Sequence, residues 1–326
     1  MILCIGEIQE GKVLSVTLEA LGIGRKLADE LGKELSCAIL GKDLDGLSQE
    51  LIYHGADKVY ILEDELLKEY NSDAYVQACE KLSRETSPEI ILIGHTVMGR
   101  DLAPRLAFRL GGGLVTDCIN LEIDKEKGLL KMTKPVYGGN ALAEYTTEKK
   151  PQMATVRPKA FEPVRDEGRK GEVVKFDPGI DKGKVKIKVV DRKKEEVVGV
   201  KLEDADVVIC GGRGIGGPEG FAQLEELAKL LGGAVGATRP PCDNGWVPPH
   251  YQIGLTGKIV TPNLYIGIAL SGSSQHLAGM SGSKHIIAIN KDPEANIFKV
   301  AEFGVVGDYK KVLPAFIRKC KEILEK

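Results

Sequence analysis

Two arginines stand where a permanent charge could meet a ligand. Arg213 lies inside "GGRGIGGPEG" (211–220), between an apolar run, "ADVVIC", and a helical pattern, "FAQLEELAKLLGG". Gly212, Gly214 and Gly217 spell G-x-G-x-x-G, a strand-to-helix turn that lets dinucleotide phosphates approach backbone amides. Arg239 follows the next apolar run, "GAVGAT", directly after Thr238. Guanidinium is a planar, always-charged fork, suited to phosphate or to a flat anionic ring. A nicotinamide site needs an acid at the end of its second strand to take the ribose hydroxyls. That place holds Thr238-Arg239-Pro240-Pro241, and the nearest acid is Asp243. Arginine there suggests NADP, yet Arg213 fills a loop where such sites keep a small residue. The glycine spacing alone is a common turn; two arginines at successive strand ends point to an anionic ligand.

Other strand ends carry polar groups too. The long loop "CDNGWVPPHYQIGLTGKIVTP" contains Gly254, Thr256, Gly257 and Lys258, whose amides, hydroxyl and ammonium suit an anion or a ring heteroatom. Long ordered loops in compact domains are usually functional. After "NLYIGIAL" come Ser271, Gly272, Ser273 and Ser274, then a helical pattern with His276 in its first turn. Small hydroxyl residues at a helix start cradle phosphate, although serines are also ordinary caps. "HIIAIN" ends in Asn290-Lys291-Asp292-Pro293, and "FGVVG" ends in Asp308. Polar groups thus follow five apolar runs, and this convergence outweighs any single motif.

The positioning elements are an alternation of β-branched runs and helical patterns. "MILCIG", "ELSCAILG", "KVYILE" and "PEIILIG" alternate with helices at "TLEALGIGRKLADELG" and near residues 43–53 and 73–86. "RDLAPRLAFRLGG" then leads to "LVTDCINLEID". Such βαβ order predicts an α/β domain with a parallel sheet. After residue 128, "LLKMTKPVYGG", "NALAEYTTE" and "PQMATVRP" read as strands with short turns, so part of that sheet is expected to be antiparallel. From Phe161 to Asp204 charge dominates, with one alternating run, "KVKIKVV", expected as a solvated edge strand beside a linker. A boundary near residue 200 would divide 1–200 from 201–326. Helices at 218–231, at 274–280 and from there to a last one ending at 325 would cover six short strands in a doubly wound, Rossmann-like second domain. Ligands of such sheets bind beyond the carboxyl ends of the strands.

Bulk numbers narrow the classes. The 326 residues exceed what one core usually absorbs, and a net charge of −2 gives no long-range pull toward nucleic acid or anionic membrane. Aromatics make up 5%, too few for a base-stacking platform. No apolar run nears the roughly 20 residues of a membrane span. The start, "MILCIGEIQEGK", reads as a strand and not as a signal-peptide core. Seven scattered cysteines without a C-x-x-C pair fit buried thiols in a reducing cytoplasm, and scattered histidines argue against a metal.

Taken together, "GGRGIGG", "VGATRPPCDNGWVP", "QIGLTGKIVTPNLYIGIALSGSSQHLAGM" and "IAINKDPEANIFKVAEFGVVGD" resemble the electron transfer flavoprotein α-subunit family. "GRDLAPRLAFRLGGGLVTDC" and "YGGNA" extend the resemblance over essentially the whole chain. It implies a parallel-rich, mixed α/β scaffold that meets a β subunit, followed by a Rossmann-like (DHS-like) domain holding FAD. Electrons would come from flavin dehydrogenases, such as the acyl-CoA dehydrogenases of fatty acid oxidation, and leave to a quinone reductase or another flavoenzyme. Some relatives bifurcate electrons. By resemblance, Arg213 lines the FAD, Thr238 sits near it, and Arg239 packs near the flavin ring. Ile253, Gly254, Leu255 and Thr256 form a flavin-side loop, with Thr256 near N5. Leu255 departs from relatives that carry glutamine. Ser271, Gly272, Ser273, Ser274 and Gln275 form the phosphate side, and His276 lies near the C2 carbonyl. Asn290 and Asp308 are adenosine-side contacts, and Tyr309 is a further cofactor-binding residue. Arg239 and His276 would stabilise negative charge on the reduced ring. The competing readings are an NAD(P)-linked oxidoreductase and a nucleotide-sensing regulator; the turn "GHTVMGRD" lacks the glycine spacing of a phosphate loop.

Overall fold

The computed structural model describes residues 1–139, 141–191 and 200–324. Two compact units divide the chain: Met1–Pro135 with Leu142–Lys193, and Val136–Ala141 with Lys194–Lys326. The expected boundary near residue 200 adjoins 192–199, which lie outside the described residues, as does residue 325.

The first unit begins with β1 (Ile2–Gly6), a small hairpin of β2 (Ile8–Gln9) and β3 (Lys12–Val13), and α1 (Ser15–Leu31). Next come β4 (Leu35–Gly41), α2 (Leu47–Tyr53), β5 (Lys58–Glu63) and α3 (Ser72–Thr86). β6 (Ile90–Gly94), α4 (Val97–Leu110) and β7 (Gly113–Cys118) complete the alternation. β8 (Asn120–Asp124), β9 (Leu129–Val136), β10 (Ala141–Tyr145), β11 (Gln152–Val156) and β12 (Glu172–Lys175) follow. Seven strands make one sheet in the order β12-β5-β4-β1-β6-β11-β7. β1, β4, β6 and β11 are buried at every position, because helices cover both faces. Burial on both faces is why these strands read as continuous apolar runs with no alternation.

Two expectations need correction here. β11 does not belong to an antiparallel stretch. It lies parallel between β6 and β7, as a fully buried central strand. β8 and β9 pair antiparallel in a separate three-stranded sheet with β10. "KVKIKVV" (184–190) is not a strand. Its backbone bonds go to the start of α3: the Lys186 and Ile187 amides donate to Asp73 Oδ2, and Asn71 Nδ2 donates to the Ile187 carbonyl. The edge strand of the charged region is β12, paired parallel with β5.

The second unit holds β13 (Val207–Gly211), α5 (Phe221–Leu230), β14 (Ala234–Ala237), α6 (Arg239–Asp243) and β15 (Leu264–Ile268). α7 (Ser274–Leu277), β16 (His285–Asn290), β17 (Phe303–Val306) and α8 (Tyr309–Leu324) complete it. Its sheet has five strands, where six were expected, in the order β14-β13-β15-β16-β17, all pairs parallel. Val208, Cys210 and Tyr265 face a core layer with Leu277 and Met280, while Ile209, Ile266 and Ile268 face α5 and α8. The winding reverses between β13 and β15. Register aligns Gly211 with both Ala237 and Ile268, and Asn290 with Val306, so all five carboxyl ends share one edge. A doubly wound sheet keeps its ligand crevice at that edge, at the switch point.

Candidate functional site

The loops beyond β13 and β15 are stitched together at the switch point. The Gly212 amide donates to the Ile268 carbonyl (2.9 Å) and the Gly214 amide to the Ala269 carbonyl (3.1 Å). A Cβ on Gly212 would lie 2.3 Å from the Ala269 oxygen and 2.4 Å from Leu270 Cα. Only glycine permits this approach, so the first glycine of the pattern serves packing. A short 3₁₀ turn, Arg213–Ile215, then leaves the Arg213 side chain exposed. From the first residue of α8, the buried Tyr309 hydroxyl donates to the Ile215 carbonyl (2.7 Å). Tyr309, expected to contact a ligand, is turned inward and braces the glycine loop.

On the neighbouring strand end, Thr238 is half-buried and extended, and Arg239 opens α6. The Arg239 side chain is 67% exposed, and its Nε donates to Asp243 Oδ2 at 3.1 Å. Solvent screens such a pair strongly, so it holds the guanidinium only weakly at the edge. The acid nearest the second strand is therefore engaged by an arginine.

The loop after α6 returns to the sheet at Ile253, whose amide donates to the Ala237 carbonyl (2.8 Å). Gly254 has φ 148, in the left-handed region that favours glycine, and lets the chain pass against Gln275. The Leu255 amide donates to the Gln275 carbonyl (2.8 Å), leaving a side chain that is 58% exposed. Thr256 is exposed and accepts a bond from Gln252 Nε2 (3.0 Å). Lys258 reaches away to Glu203 (2.8 Å) and pins this loop to the segment before β13. Gln252 and Glu203 are structural partners that no motif signalled.

Ser271, Ser273, Ser274 and Gln275 are exposed, and Gly272 is buried. Asn290 is half-buried: its Nδ2 donates to the Leu270 carbonyl (2.7 Å) and its Oδ1 accepts from the Asp292 amide (3.0 Å). Asp308 is exposed and accepts from the Lys310 amide (3.0 Å) at the start of α8.

His276 departs most from expectation. It is 4% exposed, with Nδ1 3.0 Å from the Ile253 carbonyl and Nε2 2.7 Å from the Tyr265 hydroxyl. A carbonyl only accepts, so Nδ1 carries the hydrogen and Nε2 accepts from tyrosine. Burial pushes the imidazole down to about 4. His276 is thus neutral and has both nitrogens committed inside the protein. This geometry does not support the expected part of His276 in balancing charge on a reduced ring.

The donors that face outward are Arg213, Arg239, Thr256, Ser271, Ser273 and Ser274. Two guanidinium groups at adjacent strand ends, beside four hydroxyls, suit an anionic ligand such as a diphosphate. Among the described residues no group of three or more His, Cys, Asp or Glu could hold a metal ion.

The corresponding edge of the first sheet is filled by protein. Glu7, after β1, is 5% exposed and has both carboxylate oxygens 2.7 Å from Thr96 Oγ1, after β6. A Cβ on Gly94 would meet Val16 at 2.9 Å and Glu7 Oε1 at 3.0 Å. Arg157 donates to both Asp117 oxygens (2.8 and 2.7 Å), and His95 Nδ1 lies 2.8 Å from Thr155 Oγ1. A buried carboxyl group, unfavourable to a phosphate, thus stands at the winding reversal of this sheet.

Comparison with known proteins bears on both units. Residues 2–181 match the electron transfer flavoprotein domain, and residues 201–281 match the electron transfer flavoprotein FAD-binding domain. An electron transfer flavoprotein subunit alpha of Thermoanaerobacterium thermosaccharolyticum is 47% identical, over 97% of this chain and 96% of its own length. The subunit alpha of Megasphaera elsdenii is 45% identical over 98% and 95% of the two chains, and protein FixB of Clostridium saccharobutylicum is 43% identical over 98% and 95%.

Proposed function

Because this chain belongs to the electron transfer flavoprotein α-subunit family, we propose that the five loops at the carboxyl edge of its second sheet hold the flavin. Its cofactor is FAD and its function is electron transfer. Bound FAD supplies the redox chemistry, and the protein binds it, orients it and sets its potential. One observation supports the placement above the rest: Arg213 and Arg239 are exposed at the ends of adjacent strands, with Thr256 and three serines on the loops beside them. Arg213 and the Ser271–Gln275 turn would take the diphosphate. Arg239 and Thr256 would face the ring. Thr238, Ile253, Gly254 and Leu255 would shape the wall between. Asp308 would reach the adenosine, with Asn290 and Tyr309 holding its loops and His276 supporting the wall from behind.

In this reading, residues 201–326 form the FAD-binding domain, and 1–200 form a scaffold that meets a β subunit. A flavin dehydrogenase, such as an acyl-CoA dehydrogenase, supplies the electrons. The filled edge of the first sheet supports a scaffold over a nucleotide sensor. The NAD(P) reading is disfavoured because Asp243 is paired with Arg239 and does not stand free for a ribose. Seven free cysteines agree with a reducing cytoplasm. Among the described residues, no helix is long and apolar enough to cross a membrane.

The test is Arg239→Ala in the FAD-loaded heterodimer. A charge-assisted hydrogen bond is worth roughly 1.5–3 kcal/mol, and about 1.4 kcal/mol equals roughly 59 mV for one electron. Because Asp243 already shares the guanidinium, the low end applies, and the first one-electron potential should fall by about 60 mV. An unchanged potential with FAD bound would remove Arg239 from the ring.

A further inference from the structure

The flavin site proposed above is built from two segments that do not adjoin in sequence, 253–256 and 271–276. Two hydrogen bonds join them. One runs from the Leu255 amide to the Gln275 carbonyl, and the other from His276 Nδ1 to the Ile253 carbonyl. The first is a backbone bond that any side chains would allow. The second depends on the state of an imidazole, and that state depends on Tyr265.

Tyr265 is fully buried near the start of β15, in the core layer that also contains Cys210 and Leu277. Its ring contacts the His276 ring at 6.2 Å between centroids, and its hydroxyl lies 2.7 Å from Nε2. A neutral imidazole has one N–H and one bare nitrogen. With a hydroxyl donating to Nε2, the hydrogen must stay on Nδ1, where it meets the Ile253 carbonyl. If the hydrogen moved to Nε2, a bare Nδ1 would face a carbonyl oxygen and the clamp would become a repulsion. The Cys210 sulfur also lies near the tyrosine hydroxyl; sulfur is a weak acceptor, so the hydroxyl hydrogen goes to the bare imidazole nitrogen.

We infer that Tyr265 is a positioning residue for the flavin: by donating to His276 Nε2 it fixes the Nδ1–H tautomer, and through it the relative placement of the 253–256 and 271–276 segments. It lies behind the exposed donors and reaches the site through His276. Thr256 stands on one side of the clamp and Ser273 and Ser274 on the other, so the clamp sets the spacing of the outward donors. Fixed donors bind better than mobile ones because their ordering is complete before the ligand arrives. The inference rests on the flavin reading of these loops.

The experiment uses the αβ heterodimer with ring-¹⁵N-labelled histidine, with FAD bound and after FAD removal, and with His276→Gln to assign the signal. The unsubstituted protein should show His276 as a neutral, Nδ1-protonated imidazole from pH 8 to pH 5.5 in both forms. Tyr265→Phe keeps the ring and removes only the hydroxyl. It should give a mixed tautomer signal and raise the FAD dissociation constant about tenfold, the scale set by one buried acceptor left unpaired. An Nε2-protonated or cationic His276 in the unsubstituted protein would overturn the inference, even if the phenylalanine variant did not fold. So would a folded Tyr265→Phe protein that kept both the Nδ1–H signal and the FAD affinity. The flavin reading fails by a different route: Thr256→Val and Ser273→Ala would then leave FAD affinity unchanged, whatever the tautomer.

Discussion

Replacing Glu7 by glutamine should change the pH dependence of stability in a calculable way. Glu7 is buried against Thr96, and loss of solvation raises its carboxyl from 4.5 to about 7, with the Thr96 hydrogen bond opposing in part. A raised carboxyl means that the folded state holds a proton that the unfolded state has released. Between 4.5 and about 7 the folded protein binds more protons, so stability falls as pH rises. The contribution is fully present below the unfolded value and is lost as pH climbs through the folded one. At roughly 1.4 kcal/mol per pH unit, the rise corresponds to about 3 kcal/mol. Glutamine has nearly the same shape and no charge to desolvate. Relative to Glu7→Gln, the unsubstituted protein should therefore lose about 3 kcal/mol between pH 4.5 and pH 8. The assay is urea unfolding of both proteins across that range, at fixed protein and FAD concentration. Glu19, also raised to about 7 by burial, is present in both and cancels in the difference. Two stability curves that stay parallel from pH 4.5 to pH 8 would refute the reasoning, because the carboxylate would then be as well solvated folded as unfolded.

Two further substitutions probe the loops. Gly212→Ala puts a methyl group 2.3 Å from the Ala269 carbonyl oxygen, and the loops beyond β13 and β15 must part to admit it. Overpacking of this kind costs about 1–3 kcal/mol; thermal unfolding and FAD titration should show a lower midpoint and weaker binding, and an unchanged pair of values would contradict the packing role. Tyr309→Phe leaves the Ile215 carbonyl without its donor, for a loss of about 1–3 kcal/mol in urea unfolding. If Tyr309 instead met the ligand directly, FAD affinity would fall with no loss of stability.

The outward half of the candidate site was legible in the sequence because exposed charge after an apolar run has few structural uses. Arg213, Arg239, Thr256 and the serines from Ser271 are where strand-end reasoning put them. The inward half was not. His276, Asn290 and Tyr309 carry the same polar atoms, but their partners are carbonyls and a hydroxyl from residues far away in sequence. Nothing in the order of residues tells a polar group that meets a ligand from one that meets Ile253, Leu270 or Ile215. The parallel sheets were legible from their unbroken apolar runs. "KVKIKVV" misled for a related reason: its alternation suits a half-buried strand, yet Asp73 and Asn71 of the α3 start took its backbone groups. β11 shows the opposite case, a short run whose burial on both faces, invisible in one sequence, made it a central parallel strand.

The most direct test of the central claim is the visible spectrum of the chain purified with a β subunit, followed through stepwise reduction, for the intact site and for Arg213→Ala with Arg239→Ala. The account predicts flavin bands in the intact complex that bleach on reduction, and loss of bound FAD when both arginines are removed. A complex that stays colourless and takes up no added FAD, or one that keeps full FAD affinity without either arginine, would contradict it.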